Sequence, residues 1–201
     1  MTENQDRVKI LSVARELFAR VAWTHKTHEK ERERWSRKVR CERWLNVLLV
    51  GLTTALAVIG AIVASKTMFV VTSIVGAAST AFVIYQVSFD ACGIESQHRI
   101  AAKKLVALRD RYLLFILKAS TASTPVIELQ RGLEALQTET SLIYESAPDT
   151  SPEAYAMTSV GLKDNEELTF SDKEIDIMLP NNLRLGDDLG SQIQDRDSAD
   201  L

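Results

Sequence analysis

The spacing of apolar and polar positions changes twice along the first ninety residues. From about Arg7 apolar residues recur at helical intervals: Ile10, Leu11, Ala14, Leu17, Phe18 and Val21. Trp23 to Arg43 is then dense in Glu, Lys, Arg and His, and no proline or glycine occurs from Arg7 to Val50. Both stretches suit one helix. Leu45–Ala64 next runs twenty residues without a charge, and Thr67–Phe89 runs twenty-three more. At ~1.5 Å per residue either run crosses the roughly 30 Å hydrocarbon layer of a bilayer. Ser65, Lys66 and Thr67 leave room only for a turn. The pattern predicts a transmembrane helical hairpin.

Folding the hairpin about Lys66–Thr67 makes facing residue numbers sum to about 133. One helix then presents Asn46, Val50, Thr53, Ala57, Gly60 and Ala64, and the other Thr72, Gly76, Ser79, Val83, Gln86 and Asp90. Thr53 falls level with Ser79, and Asn46 with Gln86. Small residues allow close approach in lipid, and polar ones need partners there. Arg43 falls level with Asp90, an expected interfacial ion pair. The stripes continue beyond the membrane through Val39, Trp35, His28, His25, Val21 and Phe18, and through Ile94, Gln97, Ala101, Leu105, Leu108, Tyr112 and Phe115. This predicts an antiparallel cytosolic pair in which Phe18, Val21, His25 and His28 share a seam with Leu105, Leu108, Tyr112 and Phe115. Gly93 is the expected weak point of the second helix.

Further on, Thr124-Pro125 opens a helix with an apolar face from Val126 to Ile143, and Ala147-Pro148 stops it. Ser151-Pro152 begins a short helix to about Asn165, and Ser171 to Glu174 is a capping box for another. From Gly186 the chain is acidic, poor in large apolar residues and expected to be disordered. The fold class is an all-α membrane protein: a cytosolic helix over 7–44, spans at 45–64 and 67–89, a helix over 90–120 continuing the second span, C-terminal cytosolic helices over 124–183, and a tail over 186–201.

Charge distribution adds the orientation. The net charge of −3 says little, but Lys26, Lys30, Arg32, Arg34, Arg37, Lys38, Arg40 and Arg43 precede the first span. Arg99, Lys103 and Lys104 follow the second, and the turn has Lys66 alone. Positive-inside bias places both termini in the cytoplasm of a multi-pass protein and the turn outside. The basic run is interleaved with Glu29, Glu31, Glu33 and Glu42, which suits a solvated helix touching anionic lipid, and no nucleic-acid partner is expected.

Candidate chemistry changes the picture little. His25-x-x-His28 offers two ligands on one helix face, with His98 a third only if it lies near, whereas a metal needs three or four ligands and a second shell, and seam packing already explains the pair. The acidic set Glu166, Glu167, Asp172, Glu174 and Asp176 lacks calcium-loop spacing. Cys41 and Cys92 fit reduced thiols. No phosphate loop or nucleophile elbow occurs, so no enzyme, catalytic residue, metal or cofactor is expected. Neither span has a central charge, which argues against a transporter.

Several short motifs in fixed order carry a family likeness: Trp23-Thr-His-Lys-Thr-His28, Arg43-Trp44, Gln97-His98-Arg99, Leu108-Arg-Asp-Arg-Tyr112 and Tyr144-Glu-Ser-Ala-Pro148. Asn165-Glu-Glu-Leu-Thr-Phe-Ser-Asp172, Glu174-Ile-Asp176 and Leu179-Pro180 follow. From roughly Asp6 to Leu183 the chain resembles the SLATT domain, the two-transmembrane effector associated with SMODS nucleotidyltransferases and SLOG sensors. The resemblance implies an effector of antiphage conflict systems that forms a homo-oligomer and breaches the inner membrane when a nucleotidyltransferase or SLOG-type partner acts in trans. The competing expectation is an anchor that holds a soluble partner at the membrane without a pore.

Overall fold

The computed structural model describes residues 3–121, 123–163, 165, 167 and 168. The expected capping-box helix and the acidic tail lie outside the described residues. Within them the chain forms five α-helices and no strand: α1 Glu3–Val63, α2 Lys66–Phe89, α3 Ala91–Ser120, α4 Val126–Ser146 and α5 Pro152–Lys163. The all-α hairpin architecture follows directly from the two apolar runs.

α1 holds 61 residues, a rod of roughly 90 Å at helical rise. It is continuous because nothing before Gly51 interrupts its backbone hydrogen bonds. It stops at Ala64, whose φ of 52° is left-handed and whose N–H donates to the Gly60 carbonyl at 2.9 Å. A single αL residue is a common helix stop. Ser65 is the N-cap of α2, so Lys66 and Thr67 belong to the second span's first turn rather than to the connection.

α2 and α3 are separated by Asp90 alone, at φ 33° and ψ 55°. The backbone ladder passes through it: Asp90 N–H donates to Gln86 O and Ile94 N–H to Asp90 O, both at 3.1 Å. The break is at Asp90, not at Gly93 where helix propensity is weakest. Gly93 has another role. Its N–H donates to the Asp90 carboxylate at 3.0 Å, and a Cβ there would lie 2.0 Å from Asp90 Oδ2. Only glycine leaves that space, so residues 90 and 93 form one N-terminal cap.

The inward positions show what this break does. Residues 11, 14, 18, 21, 25, 28, 32, 35, 39, 42, 46, 49, 53, 56 and 60 of α1 are all buried or half-buried. Their unbroken three-four spacing is the seam of a left-handed helix pair. α2 answers with 65, 68, 72, 75, 79, 82 and 86, and α3 with 91, 94, 98, 101, 105, 108, 112, 115 and 119. Between 86 and 91 the step is five, where an unbroken helix allows three or four. Asp90 absorbs the difference, and so His98 turns inward in place of Gln97.

α1 pairs with α2 along the apolar segment and with α3 along the charged one, and α4 packs on both α1 and α3. The core beyond the membrane segment gathers Ile10, Ala14, Val21, Leu105, Leu108, Tyr112, Phe115, Leu129, Leu133 and Ile143, with Phe18 against it. Gly132 lets α4 approach α3, since a Cβ there would sit 3.1 Å from the Phe115 ring. Tyr112 Oη and Thr140 Oγ1 lie 3.0 Å apart, which meets the need of a buried hydroxyl. At the far end the Arg7 guanidinium donates to the carbonyls of Ala119 (3.3 Å), Thr121 (2.7 Å) and Thr124, tying α1 to the close of α3. Such carbonyls are orphaned at a helix end.

By compactness the chain divides into residues 1–158 and 159–201. In the second unit the described residues close α5, with Asn165 N–H donating to Val160 O (3.1 Å) and Glu167 N–H to Gly161 O (3.0 Å).

Candidate functional site in the hairpin and the seam beneath it

The hairpin's surface decides its solvent. Two helices are long and apolar enough to cross a membrane, and in the most apolar window of each only 6% is buried. A core helix of a soluble protein would be covered. Here Leu48 is 66% exposed, Ile62 78% and Val87 77%. So contiguous an apolar surface, on helices of this length, suits a lipid surrounding. Trp44, exposed at the start of the first span, takes the amphipathic boundary position.

Inside the hairpin the polar stripe is partly as expected. Thr53 Oγ1 and Ser79 Oγ lie 3.2 Å apart, and each hydroxyl also reaches its own helix, at Leu49 O and Val75 O. Gly76 lies against Thr53, whose Cγ2 would be 3.6 Å from an added Cβ. Gly60 is buried against Met68. Thr72 and Gln86 face inward, but Thr72 donates to Met68 O at 2.8 Å rather than across the pair. Asn46 also turns inward, yet its Oδ1 is buried and has no partner among the described residues, so the expected match with Gln86 is not made. Val50, Ala57 and Val83 are exposed. Leu49, Leu56, Val75 and Phe82 take the seam instead, because strict three-four spacing selects the neighbouring residue.

The expected Arg43–Asp90 ion pair is not formed. Asp90 spends its carboxylate on the Gly93 N–H, and the Arg43 guanidinium points to Cys92 Sγ at 3.9 Å. The αL turn, invisible to a straight-helix register, directs the carboxylate along α3.

Below the membrane segment the seam holds a histidine pair. His28 Nδ1 and His98 Nδ1 are 3.0 Å apart and both side chains are buried. That contact requires opposite tautomers: one ring donates from Nδ1 and the other accepts there. A register of 133 assigns Leu105 to His28, so the observed partner lies two turns away. Burial, with His98 beside it, pushes the His28 pKa down to about 4. Burial lowers His98 and His25 as well. His25 lies 3.7 Å from Glu29 through Nε2, while its Nδ1 has no partner among the described residues.

The seam's neighbour Glu31, 2% exposed, was missed by sequence reasoning. Its Oε1 accepts the Ser151 N–H at 2.6 Å, and Arg34 reaches both its Oε2 (3.4 Å) and the Ser151 hydroxyl. This clamp holds the α4–α5 connection against α1. Around it opens a cleft of about 670 Å³ lined by Glu31, Arg34, Trp35, Lys38, Gln97 and His98 among others. Only the sequence separation of Glu31 and Ser151 hid the contact.

The family model described as SMODS and SLOG-associating 2TM effector domain family 4 matches residues 10–174. The chain belongs to this SLATT family. No curated protein and no solved structure matches it. The matched stretch begins in the first turns of α1 and takes in the hairpin and the whole of α2 to α5. A SLATT domain is a two-transmembrane effector, and this SLATT protein is accordingly a membrane-associated effector of conflict systems.

Proposed function

We propose that this SLATT protein acts by assembling its hairpins and breaching the membrane when a sensor partner is triggered. The partner, of nucleotidyltransferase or SLOG type, acts in trans, and the chain contributes no catalysis. The observation that carries the reading is the polarity of the hairpin seam. Asn46 Oδ1 is buried and has no partner among the described residues, an expensive state beside lipid, and Thr53 and Ser79 supply a further polar layer. Rotation of the two spans in an assembly offers Asn46 the partner that one hairpin lacks. With both termini in the cytoplasm, the sensor meets the helices below the inner membrane.

The test is expression in a bacterium with the neighbouring sensor gene, with dye influx and growth followed after triggering. Influx on triggering, reduced by Thr53→Leu or Ser79→Leu at unchanged protein level, supports a pore. Triggering without influx or growth arrest refutes it. One observation favours a second reading: Thr53 and Ser79 already satisfy each other within one chain. Under that reading the hairpin is an anchor, and the same substitutions leave partner recruitment intact.

A further inference from the structure

Between α1 and α3, on the side of the membrane that carries α3 to α5, lies a second cleft of about 350 Å³. It is lined by Arg32, Glu33, Ser36, Arg37, Arg40, Glu95 and Arg99. Four guanidiniums meet two carboxylates there, and the carboxylates are unequally placed. Glu95 is buried and accepts from Arg99 at 2.6 Å, which fixes Arg99 in position. Arg37 donates through Nε to the Glu33 backbone carbonyl at 3.4 Å, and Arg40 to the Ser36 hydroxyl at 2.9 Å. Among the described residues, no carboxylate lies within ion-pair distance of Arg32, Arg37 or Arg40.

Elsewhere on α1 basic side chains do find carboxylates. Arg20 pairs with Glu16, Arg34 with Glu31, and Lys38 with Glu42. Arg32, Arg37 and Arg40 thus carry no carboxylate among the described residues, and the guanidinium N–H groups not spent on the Glu33 carbonyl and the Ser36 hydroxyl are the kind of donor that recognises phosphate oxygens. They also lie at a telling depth. Arg40 precedes Leu45 by five residues and Arg37 by eight, roughly 8 Å and 12 Å below the apolar segment at helical rise. An arginine side chain spans the remaining distance to the headgroup layer. Arg32 and Arg99 form the deeper end.

We propose that this cleft is a phosphate seat, in which Arg32, Arg37 and Arg40 bind the phosphate of a lipid headgroup or of a soluble phosphorylated ligand while Glu95 positions Arg99. Membrane spanning puts a lipid phosphate within reach of Arg40 and Arg37. The deeper pair extends the seat to a second phosphate. The part of this inference that concerns lipid rests on the membrane reading, and the part that concerns soluble phosphate does not.

The full chain, purified in a neutral detergent, is titrated separately with phosphatidylglycerol, phosphatidylcholine and inorganic pyrophosphate, and binding is read as a rise in melting temperature. The Arg32→Gln/Arg37→Gln/Arg40→Gln protein is compared with Arg15→Gln/Arg20→Gln, a variant that removes charge at the distant end of α1. Phosphatidylglycerol stabilisation that phosphatidylcholine does not give, weakened at least tenfold by the cleft substitutions alone, places a lipid phosphate in the seat. Pyrophosphate stabilisation with the same dependence, abolishing the lipid effect by competition, places a soluble phosphate there. Equal responses of the two variants, or no response of the native protein to either phosphate, overturn the proposal. Circular dichroism of each variant checks that the helices are intact, and Arg→Lys at the three positions restores charge without the fork. Full rescue by lysine is expected for bulk attraction and partial rescue for the seat. Dye influx is not read, so the outcome is separate from that of the pore.

Discussion

Acidification tests the buried histidine pair most directly. In the unfolded chain His28 titrates near the ordinary value of 6.5, and in the folded seam near 4. Between these values the unfolded state binds more protons, so stability rises with pH and levels off above about 6.5. Lowering the pH from about 8 to about 5 protonates unfolded His28 almost fully and folded His28 hardly at all. The linkage integral for this one group is about 2 kcal/mol at pH 5, approaching roughly 3 kcal/mol below pH 4. His98 and His25 are lowered in the same direction and add to it. For a helical bundle of this size the loss corresponds to roughly 4–8 °C in melting temperature. The assay is thermal unfolding in neutral detergent, followed by far-ultraviolet circular dichroism, at about pH 8, 6.5 and 5. His28→Asn places a non-titrating amide near the position of Nδ1, so the variant should lose most of the slope between pH 6.5 and 5. Its residual slope measures the other titrating groups, including carboxylates. Identical slopes for the two proteins, or a native protein that gains stability on acidification, would show that the pair does not carry the linkage.

Three other substitutions probe the fold. Ala64→Gly should stabilise the hairpin by about 0.4–1 kcal/mol, because residue 64 is already left-handed, and a higher midpoint on denaturation checks it. Gly93→Ala should change sign with its background: it displaces the Asp90 carboxylate and costs about 1 kcal/mol in the native chain, but gains up to about 1 kcal/mol of helix propensity in Asp90→Gly, as a double-mutant cycle of melting temperatures would report. Leu105→Ala, at a fully buried seam position, should cost about 2–5 kcal/mol, and Leu113→Ala on the exposed face of α3 under about 0.5 kcal/mol, both by thermal unfolding.

What could be read from the sequence depended on how local the cause was. The two spans follow from composition alone, and the Thr53–Ser79 layer from small polar residues that a simple hairpin register brings together. The aromatic end of the seam, with Phe18, Val21, Tyr112 and Phe115 in one cluster, follows from the same periodicity. The register then failed wherever it assumed a straight second helix. A single αL residue is weakly encoded, since aspartate tolerates that conformation without demanding it. The Asp90…Gly93 spacing was nevertheless a visible signal of an N-terminal cap, hidden by reading Gly93 as a propensity defect. Missing the break lost the Asp90 cap, placed Gln97 where His98 belongs and produced the ion pair with Arg43. Glu31 with Ser151, and Arg7 with the end of α3, join residues more than a hundred apart, where no periodicity reports proximity.

The length of α1 has a mechanical consequence. Its first 48 residues contain neither glycine nor proline, and the same helix that Arg7 ties to the end of α3 becomes, without a joint, the first membrane span. A helix lacking such breaks curves gently and has no hinge. Torque applied near Arg7 is therefore delivered to Asn46 and Thr53 as rotation about the helix axis. The path from α3 into the second span is broken at Asp90, and the path along α1 into the first has no such break. A protein that grips the far end of α1 holds a crankshaft whose other end is already inside the bilayer.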